Sequence, residues 1–427
     1  MRTNQSANQK QIETARWLDA MGRPDQGPLF IHLAGTNGKG STGSFLSASL
    51  QALTGCPVGH FLSPHVHRYH ERILIGGEMI GDEELLQIQE KMNQLEKDFS
   101  LPALTYFQRS FLEAMEAFKD LKLAVIECGV GGKNDVTNVI DAQIAVISRI
   151  GMDHMNVLGD TLEKIADQKA GIIRKNHPLI SSDQEEPAKR ALMKEAEKNQ
   201  APAFFLDPKW LSPPKPVFCS QTAGPINMSF SYDHGWLSGK YETSLLGLHQ
   251  GQNLGTALLA LEVIADPHSS YTPRISTLIP SSFDEEKRRA LIQESVKSVY
   301  LPGRLEVIST RPLLLIDGAH NDPAILTLIE NLHWLGLDGT RYPRPALLFG
   351  MHDHKVSQKV QKKLFQEMDQ VSLIEVEGKN DSDRNKEVKK ALSKALKEKP
   401  ERPVLVCGSF YLLDGAKIFL NRERRQT

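Results

Sequence analysis

The sequence predicts an α/β protein with a parallel sheet in a larger N-terminal domain and a second, smaller α/β domain. The chain has 427 residues, which exceeds one ordinary hydrophobic core. Short apolar runs at residues 29–33, 123–126 and 144–148 alternate with helical patterns, as strands and crossover helices do. Each run leads into glycine or polar residues, and an open parallel sheet gathers its ligands at the carboxyl ends of its strands.

The first strand leads into a glycine-spaced turn, residues 35–41 (GTNGKGS), and residues 44–53 are predicted to form a helix. This order forms a phosphate cradle, because glycines let backbone N–H groups approach an anion and the helix N-terminus adds partial positive charge. Lys39 would neutralise the outer phosphates and Ser41 would ligate Mg²⁺. The spacing differs from the usual P-loop, so a strand-to-helix turn without a ligand is the alternative. The residues predicted to contact the nucleotide here are Asn37, Gly38, Lys39, Gly40 and Ser41.

The composition is that of a soluble globular protein, with 40% hydrophobic and 24% charged residues. Lys and Arg (51) nearly balance Asp and Glu (52), so no global field favours nucleic acid or an anionic membrane. No apolar run has the length of a signal peptide core or a membrane span, and we expect a cytoplasmic enzyme. The four cysteines lack CxxC spacing, which argues against a disulfide framework or zinc knuckle.

Two further strands end in candidate metal ligands. Glu127 follows residues 123–126, and His154 lies just past residues 144–148. Parallel strands would bring both to the edge that holds Ser41, which predicts a magnesium site, although a capping acid and a structural histidine are the alternatives. Four histidines lie between positions 60 and 70, where a mobile polar loop beside the nucleotide is expected rather than a metal cluster.

Lys169 lies on the apolar face of a helix predicted over residues 162–174, since Leu162, Ile165, Ala166 and Lys169 are spaced i, i+3, i+4 and i+7. Burial would favour the neutral amine, which reacts with CO₂ to give an anionic carbamate. The alternative is a lysine whose methylene stem carries its ammonium group outward to water. Spacing alone favours this alternative.

We predict a domain boundary near residue 297, giving a nucleotide-binding domain, 1–297, and a C-terminal domain, 298–427. The first domain is P-loop ATPase-like. The second repeats the pattern of apolar strands with polar ends, which predicts a Rossmann-like α/β sheet. Residues 265–283 are rich in Pro, Ser and Thr and are predicted to be a surface insertion.

Together these motifs resemble the folylpolyglutamate synthase and dihydrofolate synthase family within the Mur ligase superfamily. The resemblance covers most of the chain, from GTNGKGS through SPHVHRYHERI, TYFQ, ECGVGGKNDVTNV, GMDHMNVLGDTLEKIADQKAGII, LHQGQN, PGRLE and DGAHN to CGSFYLL. It implies a Mur ligase-like fold and ATP-dependent amide formation between a dihydropteroate or folate carboxylate and L-glutamate. A monomer is also implied.

The resemblance further implies roles for individual residues. Ser41, Glu127 and His154 match magnesium ligands, with two metal sites expected, and Lys169 matches a carbamylated lysine. Asn253, Arg304 and Asp317 match nucleotide contacts, while His320 and Ser63 match positions linked to catalysis.

The chain departs from the family pattern near the expected acyl-donor site. It has Lys133-Asn134 where Arg-Leu is more frequent, and Gln108 and Gln168 where Glu is more frequent. The sequence therefore specifies the carboxylate substrate less closely than it specifies the phosphoryl transfer. Another Mur ligase-superfamily enzyme with a different carboxylate, a P-loop ATPase without ligase activity and a silent nucleotide-binding protein are the alternatives.

Overall fold

The computed structural model describes residues 2–218, 225–266, 271–351, 356–376 and 381–423. The chain forms two compact units: unit 1 comprises residues 1–212, 231–240 and 252–299, and unit 2 comprises residues 213–230, 241–251 and 300–427. Cys219 and the polar strand end predicted at 352–355 lie outside the described residues. No helix in the described ranges is long and apolar enough to cross a membrane.

Unit 1 is built on an eight-stranded sheet with β1 inside it. Its strands are β1 (Leu29–Ala34), β2 (Val58–Phe61), β3 (Ile73–Ile75), β4 (Glu78–Met79), β5 (Leu123–Glu127), β6 (Ala142–Ile147), β7 (Leu179–Ser181) and β8 (Ala203–Phe205). Their order is β4-β3-β2-β5-β1-β6-β7-β8. The six strands from β2 to β8 in that order are parallel, while β3 and β4 pair antiparallel at one edge. The predicted parallel sheet is confirmed.

Six helices of unit 1 pack through two apolar clusters, α1, α3 and α4 in one and α5, α6 and α7 in the other. The helices are α1 (Arg2–Ala20), α2 (Lys39–Thr54), α3 (Asp82–Phe99), α4 (Tyr106–Phe118), α5 (Met155–Leu158), α6 (Leu162–Ala170), α7 (Glu186–Lys198), α8 (Leu248–Ala265), α9 (Pro273–Ser276) and α10 (Glu285–Lys297). Trp17, Phe61 and Phe111 belong to one cluster, and Ile165 and Leu192 to the other. Of α8, the part from Gln252 onward belongs to unit 1.

Helix α4 shows why the predicted amphipathic pattern forms a helix. Its N-terminus is fixed by a capping box, in which the Thr105 hydroxyl accepts from the Gln108 backbone N–H and the Gln108 side chain accepts from the Thr105 N–H. Apolar residues at positions 111, 112, 115 and 118 predict a buried helical face, and Phe111 and Met115, one turn apart, are buried. The amide of Gln108 thereby serves helix capping.

The predicted surface insertion, residues 265–283, contains helix α9, and its positions 267–270 lie outside the described residues. Pro273 and Arg274 are exposed, while Thr272, Ile275 and Ile279 are buried. The segment therefore lies at the surface and is anchored by a few buried side chains, which its composition did not indicate.

Unit 2 contains a smaller five-stranded sheet, which confirms the predicted second α/β sheet. Its elements are β12 (Glu306–Thr310), β13 (Leu313–Ile316), α11 (Asp322–Trp334), β14 (Ala346–Met351), α12 (Gln358–Gln366), β15 (Gln370–Glu375), α13 (Asp381–Glu398), β16 (Val404–Cys407) and α14 (Phe410–Glu423). The strand order is β12-β13-β16-β14-β15, and only β12 runs antiparallel to its neighbour. A separate sheet has the order β11-β10-β9, from β9 (Lys215–Phe218), β10 (Pro225–Tyr232) and β11 (Gly239–Thr243).

Candidate active site

The glycine turn after β1 is closely packed by its neighbours. Gly35 has φ +150°, and a Cβ there would lie 1.9 Å from the Ser148 hydroxyl oxygen. Gly38 has φ +91° and precedes α2, which begins at Lys39 rather than at the predicted residue 44. The helix therefore starts directly on the turn, so its free backbone N–H groups lie where an anion would bind.

Lys39 lies over this turn. Its Nζ donates to the carbonyl oxygens of Gly35 at 3.2 Å and Thr36 at 3.4 Å. Glu127, at the carboxyl end of the adjacent strand β5, holds Oε1 3.6 Å from the same Nζ. Since the Lys39 side chain is mostly buried, this pairing is poorly screened by water.

Lys169 reaches the same carbonyl from α6. Its Nζ donates to the Gly35 oxygen at 2.8 Å, and the residue is only 3% exposed. The alternative of an outward-reaching ammonium is therefore wrong, although the helix ends at Ala170 instead of the predicted 174. Burial, aided by the Lys39 charge, lowers the pKa of Lys169 to about 7.

Asn253 is brought to the turn from a distant part of the chain. A Cβ on Gly38 would lie 2.2 Å from Asn253 Oδ1, so the amide rests directly against the glycine. The Thr42 hydroxyl also lies 3.5 Å from the Asn253 carbonyl oxygen. Asn253 is one of the three nucleotide contacts predicted outside the glycine turn, and it lies against that turn within unit 1.

The predicted metal ligands share one sheet edge, but their surroundings differ. Ser41 is buried in the first turn of α2, and Glu127 accepts the Ser63 backbone N–H at 3.4 Å. His154 follows β6, with its side chain 50% exposed and its backbone N–H donating to Asp153. Across the described ranges, no three His, Cys, Asp or Glu side chains group closely enough to hold a metal ion.

The segment expected to be a mobile polar loop is tied by Glu71. This carboxylate accepts the backbone N–H groups of Val66 at 2.6 Å, His67 at 2.9 Å and Arg68 at 3.0 Å. Three charge-assisted bonds fix a loop that its polar composition alone would not order. The prediction overlooked this buried acid.

A cavity of about 540 Å³ opens within unit 1. Its apolar wall includes Phe107, whose ring lies so close to Gly129 that a Cβ there would be 2.6 Å from it. Ser63, Asn134 and Gln168 also line it, and Asn134 Nδ2 donates to Gln168 Oε1 at 3.3 Å. A flat aromatic ligand with a few polar groups suits such a wall.

Asp135 at this cavity is part of a buried network that sequence reasoning missed. Its Oδ1 accepts the Thr137 hydroxyl at 2.6 Å, and that hydroxyl lies 2.9 Å from His32 Nε2 on β1. Burial raises the pKa of Asp135 and lowers the pKa of His32 to about 3, which keeps the imidazole neutral. An acid two residues before a threonine, an N-cap pattern, was the available signal.

In unit 2, Asp317 and Arg304 lie at the carboxyl end of β13. Asp317 accepts backbone N–H groups from Leu305 at 2.7 Å and Ala319 at 2.8 Å. Burial raises its pKa, against which these bonds and the Arg304 charge act. His320 Nδ1 lies 2.8 Å from the Gly318 carbonyl oxygen, which can only accept, so Nδ1 carries the proton.

The fold and this geometry define a class of protein: a P-loop-type α/β enzyme that binds a nucleotide and has a cavity within unit 1. A model of the Mur ligase middle domain matches residues 33–261. The dihydrofolate synthase/folylpolyglutamate synthase of Bacillus subtilis is 33% identical over 324 residues, covering 73% of this chain and 69% of the relative. The chain therefore belongs to the dihydrofolate synthase/folylpolyglutamate synthase family of Mur ligases.

Two further comparisons extend over almost the whole chain. The folylpolyglutamate synthase of Lacticaseibacillus casei is 28% identical over 425 residues, covering 94% of this chain and 92% of the relative. A solved FPGS-AMPPCP-folate complex, 28% identical in sequence, aligns with a TM-score of 0.80 over 96% of this chain and 94% of that one. The predicted Mur ligase-like fold is confirmed.

Proposed function

We propose that this chain is an ATP-dependent ligase that joins the amino group of L-glutamate to the carboxylate of dihydropteroate or a reduced folate. One observation carries the proposal: Lys39 and Lys169 converge on the Gly35 carbonyl, with Glu127 beside Lys39, at a strand–glycine turn–helix unit. The names of the relatives and the AMPPCP and folate of the solved complex support it.

In the first step the substrate carboxylate attacks the γ-phosphate of ATP, giving an acyl phosphate and ADP. This step depends mainly on positioning and charge neutralisation. Lys39 would exchange its bonds to the Gly35 and Thr36 carbonyls for phosphate oxygens, while the N–H groups at the start of α2 hold the phosphates. Asn253 would contact the nucleotide from its place against Gly38.

The donor set at this edge fits magnesium. Mg²⁺ favours oxygen ligands and is usually held by one or two carboxylates together with phosphates and water. Glu127 and Ser41 would supply a carboxylate and a hydroxyl, and His154 would add a ring nitrogen. Bound Mg²⁺ would neutralise charge on the triphosphate.

Lys169 would act as a carbamate. Its lowered pKa leaves a substantial neutral fraction near pH 7, and the amine nitrogen then forms a bond to the carbon of CO₂ with loss of one proton. The product carries anionic oxygens at the Gly35 turn. These would serve a second metal ion or orient the phosphate.

In the second step the glutamate amine displaces phosphate from the acyl phosphate. The amine must lose protons, and His320, held through Nδ1 by the Gly318 carbonyl, would accept one of them. Arg304 and Asp317 would contact the nucleotide. Ser63, which lines the cavity and bonds Glu127 through its backbone, would lie beside the activated carboxylate.

The test is ADP release with dihydropteroate, with tetrahydrofolate and with neither, each with and without L-glutamate. Lys39→Ala should lower turnover by at least about 100-fold, because one phosphate-neutralising group contributes several kcal/mol. Lys164→Ala, at an exposed lysine paired with Asp160, is the matched control and should leave turnover unchanged.

Other results would assign a different function. ADP release that does not depend on glutamate would identify an ATPase. Retained turnover in Lys39→Ala would show that the glycine turn is not the phosphate site. Turnover only with an unrelated carboxylate would identify another ligase. The monomeric state implied by the family resemblance stays a prediction.

A further inference from the structure

Phe410, the first residue of α14, contacts two of the unit 2 residues given roles above. The Arg304 guanidinium carbon lies 5.1 Å from the centre of the Phe410 ring. The His320 ring lies 5.6 Å from it, tilted by 61°. A cation within about 6 Å of an aromatic centroid is attracted by the negative face of the ring. A tilted imidazole packs edge-to-face on the same ring system.

Gly318 makes room for this ring. A Cβ at Gly318 would lie 2.4 Å from Phe410 Cζ and 2.9 Å from Arg304 Nη1. Backbone bonds hold the glycine there, since Gly318 N donates to the Gly303 carbonyl and its own carbonyl accepts His320 Nδ1. The ring therefore packs directly against the backbone that also orients Arg304 and His320.

Three turns meet at this point, each fixed by main-chain bonds. Asp317 N donates to the Val406 carbonyl at 3.0 Å, and Gly408 N donates to the Ala319 carbonyl at 2.9 Å. These bonds tie the ends of β13 and β16 together, and the second one lies two residues before Phe410. The ring thus has a fixed backbone below it, and the side chains of Arg304 and His320 lie against it.

We propose that Phe410 is a positioning residue that holds Arg304 and His320 in one arrangement, so that nucleotide contact and proton transfer are set by one aromatic ring. This inference rests on the proposed function. The ring touches no reacting atom and acts through its two neighbours. Its loss would affect both the KM for ATP, through Arg304, and kcat, through His320.

The first test is steady-state kinetics of Phe410→Leu, which keeps an apolar side chain and removes the aromatic face. The KM for ATP should rise about 3- to 10-fold, the range of a partly desolvated cation–π contact. The kcat should fall by a similar factor. Unchanged KM and kcat in a folded variant would overturn the inference.

A double-mutant cycle separates positioning from general destabilisation. If Phe410 acts on ATP binding through Arg304, adding Phe410→Leu to Arg304→Met should raise the KM for ATP by less than about twofold beyond Arg304→Met alone. If the rise in KM of the double variant instead equals the product of the rises in the two single variants, the two residues act independently, which contradicts the proposal.

Two further variants test the geometry. Gly318→Ala leaves Phe410 in place in the sequence but displaces its ring and crowds the Arg304 guanidinium, so it should raise the KM for ATP at least as much as Phe410→Leu does. The matched control is Tyr411→Leu, which removes a neighbouring ring whose centre lies 4.5 Å from the Arg384 guanidinium carbon. It should leave the KM for ATP and kcat within about twofold of wild type. A Tyr411 effect equal to that of Phe410 would point to helix packing instead.

The wild-type assay separates the two proposals. Wild-type protein that releases no ADP with any acyl donor plus glutamate defeats the proposed function. Wild-type protein that turns over while Phe410→Leu and Gly318→Ala behave normally defeats the inference about Phe410 alone.

Discussion

Lys169 is the residue whose protonation most directly links structure to chemistry. It is buried, and its Nζ has the Gly35 carbonyl as a hydrogen-bond partner and the Lys39 charge nearby. An ammonium in this position is costly, and the same cost makes the amine available to CO₂. Burial thus explains both why the ammonium form of Lys169 is destabilised and why its neutral amine can react.

The pH dependence of folding follows from this burial. The pKa of Lys169 is about 7 in the folded chain and near its ordinary 10.5 when unfolded. Between these values the unfolded chain binds the extra proton, so the free energy of unfolding rises with pH. In CO₂-depleted buffer, Lys169→Met should remove about 2 kcal/mol of the increase between pH 7.5 and 9. Denaturant unfolding at both pH values measures it.

The control for this prediction is Lys164→Met, which replaces an exposed lysine of the same helix. It should leave the pH dependence of wild type intact. Equal pH slopes in wild type and Lys169→Met would show that Lys169 titrates normally in the folded chain.

At the scale of elements, local patterns predicted the strands, the glycine turn and the buried face of α4. They set the start of α2 five residues late because small residues and glycine, poor indicators of a helix, occupy its first turn. The contacts of Asn253 with Gly38 and of Ser63 with Glu127 join distant segments. Periodicity holds no information on such pairs, and only the family resemblance pointed to Asn253 and Ser63.

The strand–turn–helix unit depends on the close approach of Gly35 to β6. Gly35→Ala would bring a Cβ to within 1.9 Å of the Ser148 hydroxyl and leave an L-residue at φ +150°. We expect a loss of about 1–3 kcal/mol in the free energy of unfolding, as for other overpacked sites. Thermal or denaturant unfolding measures it.

A companion variant identifies the cause of that loss. Gly35→Ala combined with Ser148→Gly removes the hydroxyl and should recover part of the lost stability. Gly55→Ala, at φ +66° with open space around it, reports backbone strain without a clash. An effect of Gly35→Ala no larger than that of Gly55→Ala would mean that the approach to Ser148 is unimportant.

At the scale of the whole molecule, the chain contributes three separate segments to unit 2. The chain passes from unit 1 to unit 2 after Val299, two residues from the domain boundary predicted at 297. Residues 213–230 and 241–251 also belong to unit 2. No composition shift indicates those two segments. Their membership is visible only in long-range bonds, such as that from Trp334 Nε1 to the Pro214 carbonyl at 2.9 Å.

Asn331 on α11 makes the corresponding link to residues 241–251. It is buried, its Oδ1 accepts the Leu248 backbone N–H at 2.8 Å, and its Nδ2 lies 3.2 Å from His249 Nδ1. Burial and the Arg304 charge lower the pKa of His249 to about 4, so its Nδ1 accepts at neutral pH. Asn331→Leu should lower the free energy of unfolding by about 2 kcal/mol, because it removes the partner of the Leu248 N–H and of His249 Nδ1.

Denaturant unfolding monitored with amide hydrogen exchange in residues 241–251 would measure this cost and locate it. The matched control is Thr327→Val on the same helix, whose hydroxyl donates within the helix to the Pro323 carbonyl. It should cost less than about 1 kcal/mol. If Asn331→Leu and Thr327→Val lose equal stability, and exchange in residues 241–251 is unchanged, the segment folds without α11. Faster exchange confined to Asn331→Leu would establish that residues 241–251 depend on α11 for their stability.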